Sequence, residues 1–347
     1  MKDRERHQFG TEELLKVLSH YDLGIIESIT PFERGSRAAP KIGVVSSAGK
    51  FLLKKRAPRR RSERRVSLAH AVQNHLAGKG FPLARLIATR DDRTMVQMGE
   101  DLYELFAFVG GGPYEGTVGQ TRRSGAVLAT FHENMTDFAV GPDAAGGSYH
   151  DVVGIRTALI NMARSISSHD SVLGYETELD TVVHTLYEYY DAAADKVNTL
   201  GAEAMPRQVI HGDWHPGNLI FRKDEVVGVI DYDSCRVAER AVDVANGLLH
   251  FSLLAGRHPN EWPDEADEER LETFAAGYRS TVALTDVELR CVAHLMIEAM
   301  IAESVVPIAR TGHFGQWTGF SFLKMVSRKV CWFRDHEDEI WELVSGA

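Results

Sequence analysis

The sequence predicts an α+β, two-lobe chain: a small antiparallel-sheet N-lobe over residues 1–109 and a larger, mostly helical C-lobe over residues 110–347. Three observations carry that expectation. At 347 residues the chain exceeds one compact core. Short β-prone runs crowd its first third, whereas apolar residues beyond it recur mostly at helical spacing. Between the two regimes stands Gly110-Gly-Gly-Pro113, the candidate linker.

Taken in order, Leu14, Val17, Leu18 and Tyr21 lie at helical spacing and predict a short amphipathic helix over 11–21. Strands follow over 25–29, 41–46 and 50–54, the last two joined by a tight turn at Ser47-Ala-Gly49. A helix over 67–77 stops at Gly78 and Gly80. Strands over 86–89, 95–98 and 103–109 complete the sheet-rich lobe. Helices are expected over 121–131, 156–167, 176–194, 268–280, 286–306 and 321–333. Among them lie short strands over 209–210, 219–221 and 226–230, the last two closed by the polar turn Arg222-Lys-Asp-Glu225. A cleft between the lobes is the natural ligand site.

Composition narrows the function classes. An apolar share of 44% and a charged share of 25% are ordinary for a globular protein. A net charge of −10 disfavours whole-surface nucleic-acid binding. No run of eighteen apolar residues is present, so no membrane span is expected. The charged start, Met1 to His7, leads into no apolar signal segment, and a cytoplasmic location is the default. Cys235, Cys291 and Cys331 are widely spaced and form no C-x-x-C, which argues against a disulfide framework or structural zinc. The basic run from Lys54 to Arg65 reads either as a solvated connection or as a cationic rim near a polyphosphate.

The chemistry concentrates in His211-Gly-Asp-Trp-His-Pro-Gly-Asn218 and, after the next hairpin, Asp231-Tyr-Asp233. Pro216-Gly217 forces a turn that lets Asp213 and Asn218 face one site. The hairpin then returns the chain, and Asp231 lands where a strand gives way to a loop. Two oxygen ligands plus phosphate oxygens suit Mg2+, which rarely uses an all-protein cage. Asp213 is then free to face an acceptor hydroxyl as general base. That spacing is the one phosphoryl transfer from ATP uses. Asp233 reads equally as a second metal contact or a loop cap.

This pattern resembles the aminoglycoside phosphotransferase and choline kinase family, a branch of the protein-kinase-like fold. Weaker support comes from Leu128 to His132, Tyr103-Glu-Leu-Phe106 and Arg240-Ala-Val-Asp243, and the look is nearest to bacterial homoserine kinase and spore-coat kinase relatives. The resemblance implies Asp213 as catalytic base, Asn218 and Asp231 as Mg2+ ligands, His211 as a brace for the loop, and Asp243 as a support from behind. It also implies a lysine on the α- and β-phosphates of ATP. Lys54 is the first choice and Lys55 its competitor, since a one-residue shift flips a strand's side chains. Gly35 and Ser36, in Glu33-Arg-Gly-Ser-Arg37, are the candidate phosphate loop. The adenine is expected near Phe106 to Val109, with Phe106 and Phe108 as contacts. One departure stands out. Family members place a Glu in the next helix to pair with the strand lysine, but residues 67–77 contain no acid. His70 and Gln73 face that position, and Glu63 precedes the helix.

The expected activity is ATP-dependent transfer to a hydroxyl of a small acceptor: an amino alcohol, hydroxy amino acid, sugar or aminoglycoside. Three readings compete. A protein Ser/Thr kinase would need an activation segment, for which the residues after Asp231 leave little room. A metallohydrolase built on Gly212-Asp-Trp-His215 would need further His and Asp ligands. A non-catalytic nucleotide-binding scaffold would have no need of Asp213.

Overall fold

The structure, a computed structural model, describes residues 9–32, 39–56, 63–141, 144–169 and 174–346. Helix α1 (Thr11–Leu18) leads into β1 (Ile26–Phe32), β2 (Lys41–Ser46) and β3 (Gly49–Lys55). In β2, Ile42, Val44 and Ser46 point inward and their neighbours are only half-covered, the period-2 signature of a sheet with one buried face. The β2–β3 hairpin closes at the Ser46–Gly49 pair, as its turn residues predict. With β4 (Val96–Met98) and β5 (Asp101–Ala107) these strands form a five-stranded antiparallel sheet in the order β1-β2-β3-β5-β4. Val17, Tyr21, Val44, Leu53, Tyr103 and Leu105 fill its core.

The expected strand over 86–89 does not form. Only an isolated bridge joins Leu86 to Phe106, because the chain reverses at Thr89, whose N–H bonds Arg93 O at 2.8 Å. Helix α2 (Glu63–Gly78) begins four residues before its expected start at 67. Its apolar residues Leu68, Val72 and Leu76 join Phe81 and Leu83 in the large helical core, not in the core of the sheet. The Gly110–Pro113 segment is tied down: Gly112 exchanges backbone hydrogen bonds with Phe221 at 2.8 and 2.9 Å.

Beyond it, α3 (Val118–Met135) starts at Thr117, whose hydroxyl caps the helix by accepting from Gln120 N. Where one helix was expected over 156–167, two form: α4 (Val153–Ile160) and α5 (Met162–Ser167). The break falls at Asn161, whose amide bonds Thr157 O at 2.8 Å, the local competition that makes Asn a poor helix-interior residue. Next come α6 (Glu176–Leu200), β6 (Arg207–Ile210), β7 (Leu219–Arg222), β8 (Glu225–Val229), β9 (Arg236–Glu239) and α7 (Arg240–Ser252). β7 and β8 form the expected hairpin, and β9 returns antiparallel to β6.

Helix α8 (Glu268–Arg279) crosses α3 with the two backbones in contact. A Cβ at Gly125 would stand 2.1 Å from Phe274 O, and one at Gly277 would stand 2.0 Å from Arg122 O. α9 (Asp286–Thr311) opens on a Thr285/Glu288 capping box and continues through Pro307, past its expected end at 306. It is long and apolar enough to cross a membrane, but 83% of that apolar window is buried inside the protein. The hairpin β10 (His313–Phe314) and β11 (Trp317–Thr318), then α10 (Gly319–Asp335) and α11 (Glu337–Ser345), close the chain.

Candidate active site

The site begins where β6 ends. The backbone N–H groups of His211 and Gly212 donate to the two oxygens of Asp243 at 2.6 and 2.8 Å. Asp243 sits fully buried in the first turn of α7, where a carboxylate also faces the positive end of the helix. His132 of α3 stands 3.3 Å from the same carboxylate, and its other ring nitrogen is 2.7 Å from the Tyr278 hydroxyl of α8. Burial pushes Asp243 up, but His132 and the Gly212 N–H outweigh it and hold the carboxyl below its ordinary range. Gly212 adopts φ +74°, and a Cβ there would meet Ser234 O at 2.5 Å, so the tight loop requires glycine.

His211 is buried, and burial holds its imidazole below the ordinary value against three nearby carboxylates. Its Nε2 lies 3.2 Å from Ile230 O, tying this loop to the end of β8. Pro216 to Asn218 form one 3-10 turn, capped by His215 Nδ1 accepting from Gly217 N. That turn swings the Asn218 amide back onto Asp213, where it donates to the backbone oxygen at 2.8 Å and to Oδ2 at 3.1 Å. Asp213 Oδ1 faces His215 Nε2 at 3.6 Å. Burial raises the Asp213 pKa, yet His215, His211 and Asn218 pull it down to about 2, so it is ionised at any physiological pH. His215 in turn lies 5.7 Å, ring to ring, from His250, which bonds Glu303 at 2.8 Å. Trp214 is wholly buried and packs against His211 and Phe131.

Asp231 follows the hairpin with φ 63° and ψ 62°, a left-handed backbone that Asp, like Asn, adopts more readily than other side chains do. Facing it from β3, Lys54 Nζ stands 3.4 Å from Asp231 Oδ1 and 3.1 Å from Asp233 Oδ2. Burial pulls the Lys54 pKa down, but Asp231 and Asp233 outweigh burial and raise it. Lys55 points to the other face, where it bonds Glu13 and Asp101 at 2.8 Å each.

The structure therefore sets Lys54 against Asp231 and Asp233 and Asn218 against Asp213, and the Ile230 N–H, bonded to Asn218 O at 3.0 Å, joins the two groups, with buried His211 and Asp243 behind them. Phe106 pairs with Leu52 in the sheet, and Phe108 is 42% exposed beside Phe32. Gly35 and Ser36 lie outside the described residues.

Two residues with a part in the site escaped sequence reasoning. Arg56 belongs to the basic run read first as a solvated connection. It is instead 2% exposed, with its guanidinium between Glu104 of β5 and Asp233. Glu104 is 1% exposed and is 2.6 Å from His70 Nε2. The alternation of β3 was the available signal, since it puts residues 54 and 56 on one face. Of the other two residues considered for the helix, Gln73 bonds its own helix at Ala69 O, and the Glu63 side chain lies outside what is described.

Residues 28–289 match the phosphotransferase enzyme family APH. The chain belongs to that family. It is similar to a homoserine kinase from Gluconacetobacter diazotrophicus, 26% identical over 294 residues, covering 80% of this chain and 79% of the relative. Among solved structures it resembles an aminoglycoside phosphotransferase from Alicyclobacillus acidocaldarius, at TM-score 0.67 and 17% identity, over 100% of this chain and 99% of the other. It also resembles an amicoumacin kinase in complex with AMP-PNP and Ca2+, at TM-score 0.66 and 14% identity, over 95% and 94%. The fold of this phosphotransferase is accordingly protein-kinase-like, with its five-stranded sheet and a largely helical remainder.

Proposed function

We propose that this phosphotransferase moves the γ-phosphoryl group of ATP to the hydroxyl of a small acceptor, with Mg2+ as the metal. The observation that carries the reading is the convergence of Asp213, Asn218 and Asp231 from one loop and one hairpin, opposite Lys54. Asn218 spends its NH2 on Asp213, which turns its amide oxygen to the other side. That oxygen and the Asp231 carboxylate are hard donors of the kind Mg2+ takes, and a lysine ammonium already sits against Asp231 as a cation. Asn218 and Asp231 would hold the ion, which would supply positive charge to the phosphates during transfer. Lys54 would bind the α- and β-phosphates.

Asp213, at a pKa of about 2, is a weak base. It suits a reaction in which the acceptor oxygen is oriented first and loses its proton late, as a loose phosphoryl transition state allows. The new bond joins the acceptor oxygen to the γ-phosphorus, the bond from that phosphorus to the β-bridging oxygen breaks, and the hydroxyl proton passes to an Asp213 oxygen. ADP leaves with the bridging oxygen. The adenine would lie along residues 106–109, and the cleft would divide the chain near residues 109–110.

The candidate acceptors are an amino alcohol, a hydroxy amino acid, a sugar or an aminoglycoside. The homoserine kinase relatives support a hydroxy amino acid as the first choice. After Asp231 the chain enters β9 and then α7 at Arg240, which supports a small acceptor over a protein one. The test is an ATP-consumption screen across these four acceptor classes, with Asp213→Asn as the blank. Mg2+-dependent turnover with one class, absent in the variant, is expected. Equal turnover in the variant, or transfer only to proteins of a lysate, would sink the reading.

A further inference from the structure

We propose that Glu104, carried on β5, is the positioning residue for Lys54: the carboxylate that receives its ammonium when a metal ion takes Asp231. The inference rests on the proposed function for its ligands, but its test does not require turnover.

Lys54 and Glu104 are directly opposed in the β3–β5 ladder, so both side chains rise from the same face of the sheet. Facing residues in such a pair stand about 5 Å apart at Cβ, within easy reach of a lysine and a glutamate. Glu104 is held by two grips on a single oxygen. Its Oε1 takes both the Arg56 guanidinium and His70 Nε2. His70 is steadied in turn by Thr94, at 2.7 Å from its Nδ1. The second oxygen, Oε2, is buried and has no hydrogen-bond partner among the described residues. A buried carboxylate oxygen with no partner is costly, and it is rare enough in folded proteins to require an explanation.

Lys54 meanwhile leans on Asp231 and Asp233. Those contacts hold the ammonium against a carboxylate that a bridging cation needs. When Mg2+ and phosphates arrive, Lys54 must release Asp231. Glu104 stands opposite Lys54 on the same sheet, and a lysine bonded to its open oxygen keeps its remaining donors for the phosphates. Arg56 does not have to move, because its other side grips Asp233. The arrangement also accounts for the acid-free stretch of α2. The carboxylate comes from the strand beside Lys54, and the helix supplies His70 to orient it.

The test is calorimetric binding of ATP with Mg2+, and of adenosine, to the full chain and to Glu104→Gln, Lys54→Met and the double variant. Glu104→Gln and Lys54→Met should each weaken ATP binding about tenfold or more while adenosine binding stays within about twofold, and the double variant should lose no more than Lys54→Met alone. A wild-type ATP affinity in Glu104→Gln would overturn the proposal. So would equal losses for ATP and adenosine, or additive losses in the double variant. If Glu104→Gln does not fold, Glu104→Asp is read by the same ratio: a selective loss for ATP supports the proposal and no change overturns it. A chain that binds ATP as described but phosphorylates no acceptor would leave this inference standing and sink the proposed function. A wild-type chain with no affinity for ATP would overturn both.

Discussion

The two halves of the site are held in different ways. The loop that carries Asp213 is braced by backbone groups: two N–H donors close on Asp243, and His132, itself held by the Tyr278 hydroxyl, meets the same carboxylate. The half that carries Lys54 is braced by charge on charge, with Lys54 and Arg56 gripping Asp231, Asp233 and Glu104. Backbone dipoles are fixed once the fold forms, so the first half is preorganised. Charged side chains can exchange partners when a new cation or anion arrives, so the second half can respond to a ligand. The difference teaches where this phosphotransferase can hold geometry and where it can yield.

The largest expected effect separates chemistry from binding. Asp213→Asn should cut kcat by about 100- to 10,000-fold and leave ATP affinity unchanged, measured by coupled assay and calorimetry. A matching loss of ATP affinity would mean that the two halves are not independent. Asp243→Ala comes next. It strips two buried N–H groups and one buried imidazole of their partner and should cost about 3–5 kcal/mol in urea unfolding. A near-neutral result would show that the loop is held by something other than this carboxylate. Gly212→Ala should follow at about 1–3 kcal/mol, because φ +74° and the 2.5 Å approach of Ser234 O both oppose a methyl group. Little change in ATP affinity at that cost would sharpen the contrast between the halves.

The smallest effect asks how well backbone dipoles hold a charge away from the site. Lys329 of α10 is 1% exposed and donates to Pro263 O at 2.6 Å and Glu265 O at 3.3 Å. Burial lowers its pKa to about 8, against the pull of Asp264 and Glu265. Between pH 8 and about 10.4 the unfolded chain holds this proton and the folded chain does not, so stability should rise with pH across that window. Below pH 8 the cost of burying the charge is fully present. Wild type should therefore gain on Lys329→Met, on the order of 1–3 kcal/mol, between pH 7 and pH 10 in paired urea melts. No pH-dependent difference would mean that carbonyl dipoles hold Lys329 as securely as the N–H groups hold Asp243.

What the sequence disclosed follows the same division. The loop half was legible because Asp213, Asn218 and Asp231 lie close in the chain, and a short hairpin with a polar turn can only bring them back together. The lysine half was not. Glu104 meets Lys54 through β3–β5 pairing, a contact between distant segments that no local pattern encodes. Arg56 looked like one cation in a solvated run, and only the strand's alternation could have marked it as buried. β9 escaped because its four residues are strand-like only through their pairing with β6. α9 outran its expected end because Pro307 sits in its last turns, where the helix is already anchored against α6, α7 and α10.

One remote feature bears on how far from the cleft this enzyme can tolerate change. At the α3–α8 crossing, Gly125 and Gly277 let two main chains touch. α3 also carries His132 and α8 carries Tyr278, the pair that closes on Asp243. A single added methyl at either glycine would wedge the helices apart, and the displacement would arrive at the Asp213 loop through that hydrogen-bonded pair. In a mutational survey these two glycines should therefore score with the active-site residues, although neither comes near a phosphate.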